Sequence, residues 1–218
     1  WMTMRKILLL RHGQTDWNAQ MRFQGRMDIP LNELGMQQAA MAAERIAEWA
    51  PEEIYVSPLK RAVTTAAIAA GCRRSDLHVM EDLREIGFGD WEGQSISSLR
   101  KSGEDYSHWA AHPFSVKIPN AESPDEIRSR VRRVLAALRK ARGQRILVVS
   151  HGGTLRAFLA EALNLSLEAV WKNFRMNNCA LTGLEDTGEK FVLCFYNDTL
   201  HSSVSSQGIS RKSLPVPF

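Results

Sequence analysis

Short apolar runs punctuate the chain, each ending in polar or turn-forming residues. Ile7-Leu8-Leu9-Leu10 is unbroken, the pattern of a strand buried on both faces. Further strands are predicted at 54–56, 77–80 and 146–149. Between them, apolar and small residues recur at helical spacing over 33–49, from Ser57-Pro58 to about Gly71, and over 154–163. Ser57 reads as an N-cap with Pro58 at the first helical position. Ser123-Pro124-Asp125-Glu126 reads as a second start, a capping box. After it Ile127, Val131, Val134 and Leu138 form one buried stripe. Residues 81–123 are glycine-, aromatic- and polar-rich, a long excursion with short helices. Strands at 180–184 and 191–196 flank an Asp186-Thr187-Gly188 turn.

Strands alternating with helices predict an α/β protein whose mostly parallel sheet is covered on both faces. No break in composition separates a second unit. A single domain is expected over 1–218, with a core over about 5–200 and a loosely held C-terminal tail.

Composition narrows the function classes. The 218 residues are 44% apolar and 24% charged, which fits a globular protein with a sizeable core. A net charge of +4 admits an anionic substrate without implying nucleic acid. The arginines from Arg128 to Arg145 spread around the helical faces left by the apolar stripe, so a solvated surface and no nucleic-acid partner are expected. No run approaches 18 apolar residues and the N-terminal run is too short for a secretory signal, so no membrane association and a cytoplasmic location are expected. Cys72, Cys179 and Cys194 are widely spaced and read as reduced thiols. His108 and His112 have a metal-compatible spacing, but no carboxylate or cysteine near them in sequence completes a site and Pro113 limits the helix.

The most informative feature is an echo. Ile7-Leu8-Leu9-Leu10-Arg11-His12-Gly13-Gln14-Thr15 parallels Ile146-Leu147-Val148-Val149-Ser150-His151-Gly152-Gly153-Thr154. Each is a buried strand, one polar residue, then His-Gly-x-Thr. Ligands of open α/β sheets bind beyond the carboxyl ends of the strands, so two histidines at two such ends face each other if the strands are neighbours. The glycines let backbone amides approach an anion. Arg61, in the first turn of a helix, adds a bidentate clamp beside Arg11. The glycines and aromatics of the Leu83–Gly93 segment build a tight loop that places one of its carboxylates in a partly desolvated site, as proton transfer requires.

Arg11-His12-Gly13, Ser57-Pro58-x-x-Arg61-Ala62, Glu85 ahead of Phe88-Gly89-x-Trp91-Glu92-Gly93, and Ser150-His151-Gly152-Gly153 together resemble the histidine phosphatase superfamily, also called phosphoglycerate mutase-like. The resemblance covers 7 to about 200 and favours the small phosphatase and α-ribazole phosphatase branch. It implies a three-layer α/β/α sandwich with a mixed six-stranded sheet. It also implies hydrolysis of a small organic phosphomonoester through a phosphohistidine, with no metal or other cofactor. Carried over, His12 is the nucleophile, Arg11, Arg61 and His151 hold the phosphoryl oxygens, and Glu85 is the acid and base. Asn18, Gln24 and Gly152 add contacts to the phosphoryl group. The two arginines are expected to keep His12 neutral. The family often dimerises, which allows a homodimer.

Two alternatives stay open: a cofactor-dependent phosphoglycerate mutase and a non-catalytic phosphate-binding regulatory module. Glycolytic mutases carry a Tyr…Arg-Arg cluster after the acid loop, whereas 102–120 offers Lys117 as its only basic residue. Tyr106, His108, Trp109, His112 and Phe114 of that stretch, with Met21 and Phe23, are expected to form a partly apolar lid.

Overall fold

The computed structural model describes residues 4–202, so the expected loose tail lies mostly outside the described residues. Its strands are β1 (Arg5–Arg11), β2 (Glu53–Val56), β3 (His78–Val79), β4 (Arg145–Ser150), β5 (Leu181–Asp186) and β6 (Phe191–Asp198). They form one six-stranded sheet in the order β3-β2-β4-β1-β5-β6. The first four in that order are parallel; β5 runs antiparallel to β1, and β6 antiparallel to β5. The helices are α1 (Asp16–Ala19), α2 (Glu33–Trp49), α3 (Lys60–Ala70), α4 (Ile96–Ser102), α5 (Glu104–Ala111), α6 (Pro124–Arg139), α7 (Gly152–Ala162) and α8 (Leu167–Asn173).

The buried runs of β1 and β4 explain the layering, because successive side chains point to opposite faces. Leu8, Leu10, Leu147 and Val149 pack with Ala39, Ala42 and Ile46 of α2 and Ala62 and Ala66 of α3. Ile7, Leu9, Ile146 and Val148 face Val131, Val134 and Leu138 of α6 and Leu155 and Phe158 of α7. The predicted stripe on α6 is wholly buried, and each such side chain contributes about 1.5–3 kcal/mol. The fold is the expected α/β/α sandwich with a mixed, mostly parallel sheet.

Several local expectations change. The helix after β2 starts at Lys60 with Leu59 as its N-cap, not at Pro58. The Ser57 hydroxyl accepts from the Leu59 amide at 3.3 Å and lies 2.7 Å from the ring of His151, while Asp28 accepts from the Lys60 amide at 2.7 Å. β3 shrinks to two residues, and α7 begins at Gly152, two residues earlier than predicted.

The arginine-rich helix differs as well. Arg130 is buried, not solvated. It grips Glu122 at 2.5 and 3.0 Å and donates to the carbonyls of Asp82 and Arg84 at 2.8 and 3.0 Å. Glu122 also accepts from the Gly87 amide at 3.1 Å, so the pair braces both flanks of the loop that carries Glu85. Arg128 and Arg132 pair with Glu161, Arg133 with Asp82, Arg139 with Asp186 and Arg145 with Glu52. No described helix is long and apolar enough to cross a membrane.

Backbone meets backbone where α2 starts. A Cβ on Gly13 would stand 2.3 Å from the Gly35 oxygen, and one on Gly35 would stand 2.1 Å from the Gln14 oxygen. Only glycine at both positions lets the loop after β1 lie on the end of α2.

Candidate active site

β1 and β4 are neighbours with Arg11 opposite Ser150, so His12 and His151 leave the sheet side by side. Their ring centres are 5.1 Å apart. The Nδ1 of His12 lies 2.6 Å from the Gly13 oxygen. A carbonyl can only accept, so Nδ1 carries the hydrogen and Nε2 keeps its lone pair. The same logic fixes His151. Its Nδ1 accepts from Arg61 Nε at 3.2 Å, so Nε2 carries the hydrogen and donates to Ser57 Oγ at 2.7 Å.

Both imidazoles are buried, and both are held well below the usual 6.5. For His12 burial is the largest cause, followed by Arg61 and Arg11. For His151 burial again leads, followed by Arg61, His12 and Arg11. Desolvation outweighs the arginines expected to keep His12 neutral, because a charged ring there would lose its water.

This burial has a consequence for stability. Below pH 6.5 each histidine binds a proton when unfolded that it lacks when folded. Stability therefore reaches its full value above that pH and falls as the pH drops beneath it. For two such groups the slope approaches about 2.7 kcal/mol per pH unit. Urea unfolding at several pH values between about 7.5 and 5 measures it. His12→Gln should halve the slope, and a flat profile would contradict the burial of both rings.

Arg61 is fully buried on the first turn of α3. Besides His151, its guanidinium donates to the carbonyls of Met27 at 2.6 Å and Gly25 at 2.8 Å. One turn later, Thr65 accepts from the Gly13 amide at 3.0 Å and donates to the Arg61 carbonyl at 2.7 Å, tying α3 to the histidine loop. Arg61→Ala removes a cation from the cavity wall and unfastens the 25–27 loop. Both kcat and KM should suffer, with kcat falling about 10²–10³-fold. Steady-state kinetics on an aryl phosphate check this, and unchanged values would remove Arg61 from the site.

Arg11 ends β1. It donates through Nη1 to the Met176 carbonyl, while its buried Nε has no partner. Burial pushes its guanidinium down to about 10, leaving it cationic at neutral pH. Glu85 sits against the N-terminus of α7. It accepts from the amides of Gly153 at 3.0 Å, Thr154 at 2.9 Å and Ile86 at 2.8 Å. Helix-end amides favour a carboxylate there. A Cβ on Gly153 would come within 2.6 Å of Glu85, and one on Gly152 within 3.3 Å of Arg11, which explains the paired glycines.

All the predicted site residues except His151 line one cavity of about 340 Å³. Arg11, His12, Arg61, Glu85 and Gly152 form its floor. Asn18 and Gln24 offer their oxygens to Thr15, at 3.1 and 2.9 Å, which leaves their amide nitrogens as donors for a ligand. His151 packs against His12 and is not among the residues that line the cavity; Arg61 and Ser57 occupy its two ring nitrogens. The lid forms in part. Met21, Phe23, Tyr106 and Trp109 line the cavity, whereas Phe114 and Lys117 line a neighbouring one. His112 turns to Glu168 at 3.5 Å, a carboxylate from α8 that is distant in sequence.

Arg156, Trp171 and Asn178 went unseen in the sequence. Arg156 lines the cavity, and its place four residues after Gly152 on a helix was a usable signal. Trp171 reaches the cavity from α8. Asn178 donates to the His12 carbonyl at 3.0 Å. Neither lies near a motif in sequence.

The sequence profile of the histidine phosphatase superfamily (branch 1) matches residues 7–199. A metal-independent phosphoserine phosphatase of Arabidopsis thaliana is 34% identical over 203 residues, covering 91% of this chain and 83% of its own. Phosphoglycerate mutase-like protein 4 of the same plant is 39% identical over 164 residues, covering 72% of this chain and 70% of its own. Among solved structures, Bacillus stearothermophilus YhfR superposes with a TM-score of 0.83 at 30% identity, covering 90% of this chain and 98% of its own. The chain belongs to the histidine phosphatase superfamily, branch 1.

Proposed function

We propose that this chain hydrolyses phosphomonoesters through a phosphohistidine at Nε2 of His12. The observation that carries this is a neutral imidazole with its tautomer fixed by Gly13, in a cavity that also holds Arg11, Arg61 and Glu85. In the first step Nε2 attacks phosphorus, the P–O ester bond breaks, and Glu85 delivers a proton to the departing oxygen. In the second, Glu85 takes a proton from water, the water oxygen attacks phosphorus, and the N–P bond breaks. Arg11, Arg61 and the amide of Gly152 carry the phosphoryl charge in both steps, and the amide nitrogens of Asn18 and Gln24 add to them. His151 orients Arg61 and shields His12; reaching a phosphoryl oxygen requires its Nε2–H to leave Ser57. No step needs a metal ion, in keeping with the metal-independent relative.

The mutase-like relative supports a second reading, in which the phosphohistidine returns its group to a hydroxyl of the substrate instead of water. One experiment addresses both. The enzyme is mixed with a ³²P-labelled aryl phosphate in EDTA, quenched in base and digested. Label on the peptide containing His12 with release of inorganic phosphate supports hydrolysis. Label that passes to an added hydroxy acid supports the mutase. Turnover without labelled histidine, or turnover abolished by EDTA, overturns the phosphohistidine reading.

A further inference from the structure

The cation that the 102–120 stretch fails to bring to the cavity arrives from another element. Arg156 lies on α7, one turn beyond Gly152, on the same side of the helix. Its Nε donates to the Phe174 carbonyl at 2.8 Å, and its guanidinium lies 4.9 Å from the ring centre of Trp171. These contacts fix its plane, and among the described residues no hydrogen bond or ion pair engages its terminal nitrogens, while the residue lines the cavity. Among the described residues no carboxylate forms an ion pair with it, whereas the buried Arg130 of α6 is held by Glu122. A cation half withdrawn from water without a counter-ion is costly unless a ligand supplies one.

Its place relative to the chemistry indicates which part of a ligand it meets. Arg61 and Arg11 are the charges felt by His12. Arg156 is not among them: its titratable neighbours are Tyr196, Glu85 and Arg11, and it shares Glu85 with Arg11 and Arg61. Arg156 lines the cavity beside Trp171 and acts on Glu85, which serves the leaving oxygen, but not on His12, so it stands on the leaving-group side. When Glu85 carries the proton it delivers, Arg11, Arg61 and Arg156 make three positive charges. A phosphomonoester dianion matches two, and one remains where the leaving group lies. Four residues of helix place Arg156 about 6 Å further along α7 than Gly152, within reach of a group a few bonds from the ester oxygen. The adjoining wall of Phe23, Tyr106, Trp109 and Trp171 makes the rest of that subsite aromatic.

We infer that Arg156 is a specificity-determining residue that binds a carboxylate on the leaving group, so that the site favours phosphomonoesters of hydroxy or amino acids over esters without that carboxylate. The inference rests on the phosphomonoesterase reading above.

Phosphoserine and phosphoethanolamine differ only in the carboxylate and form the test pair, with p-nitrophenyl phosphate as reference. The wild-type ratio of kcat/KM for phosphoserine over phosphoethanolamine should exceed about 10, the value of one charge-assisted bidentate contact. Arg156→Met, which keeps the stem on Trp171, should bring the ratio close to 1. Arg156→Lys, which keeps the charge and loses the fork, should fall between, chiefly through KM. A wild-type ratio near 1 overturns the inference, as does an equal loss on both esters in Arg156→Met, which would place Arg156 on the phosphoryl group or in the fold. Should Arg156→Met fail to fold, the Arg156→Lys ratio decides alone: unchanged, it overturns the assignment. Failure of the phosphatase reading looks different, because p-nitrophenyl phosphate is then not hydrolysed at all.

Discussion

His12→Ala should lower kcat for any phosphomonoester by about 10⁴-fold or more, because no other side chain in the cavity can take its place. The nucleophile must be uncharged, have a free lone pair and face the ligand. His151 meets the first condition only: its Nδ1 accepts from Arg61, its Nε2 carries a hydrogen to Ser57, and it lies off the cavity wall. Cys179 is close to Arg11 in the fold, but burial pushes its thiol up to about 12, so it is protonated at working pH. Initial rates on p-nitrophenyl phosphate at high enzyme concentration measure the loss. A residue of activity within about 100-fold of wild type would move the nucleophile elsewhere.

Glu85→Gln should act on poor leaving groups far more than on good ones. An alkyl ester departs as a strongly basic alkoxide and needs the proton, whereas p-nitrophenolate leaves without it. Loss of a positioned acid costs about 10²–10⁴-fold for the alkyl ester and much less for the aryl ester. The amide side chain still offers one oxygen to the Gly153 and Thr154 amides that now hold Glu85, so the end of α7 stays capped. The water-attack step also depends on Glu85, so phosphohistidine should accumulate in this variant when an aryl ester is supplied. A chase of the labelled enzyme measures that lifetime. Equal losses for the two esters would remove Glu85 from the acid role.

Much of this was legible in the sequence because it lies in local patterns. The echo around His12 and His151 follows from two buried strands ending alike, and the register of β1 with β4 brings the two together. The stripe on α6 needs only the helical period. What stayed hidden depends on contacts between distant segments. Ser57 has the sequence of a helix cap, yet its hydroxyl meets a histidine 94 positions away. Arg130 reads as surface because nothing local announces Glu122 as its buried partner. The partners of His151 were hidden for a similar reason: the motif places it at the sheet edge, but only tertiary packing brings Arg61 and Ser57 to its ring nitrogens. Arg156 shares its helix with Gly152, so periodicity was enough to flag it, while Trp171 and Asn178 are brought in by tertiary structure alone.

The reversed direction of β5 has a bearing on how this scaffold can diversify. In a wholly parallel sheet, the segment entering a strand arrives at the edge opposite the chemistry. Here the chain between α7 and β5 arrives at the reactive edge, and both of its ends are fixed by rigid elements. Residues 163–175, including Trp171 and the Phe174 carbonyl that seats Arg156, contain none of the groups assigned to the phosphoryl transfer. The fold thereby divides into a part that holds the phosphoryl-transfer groups on the parallel strands and a part joined in at one point that holds none of them. A library confined to 163–175 would change which alcohol is released while leaving the apparatus of bond cleavage intact.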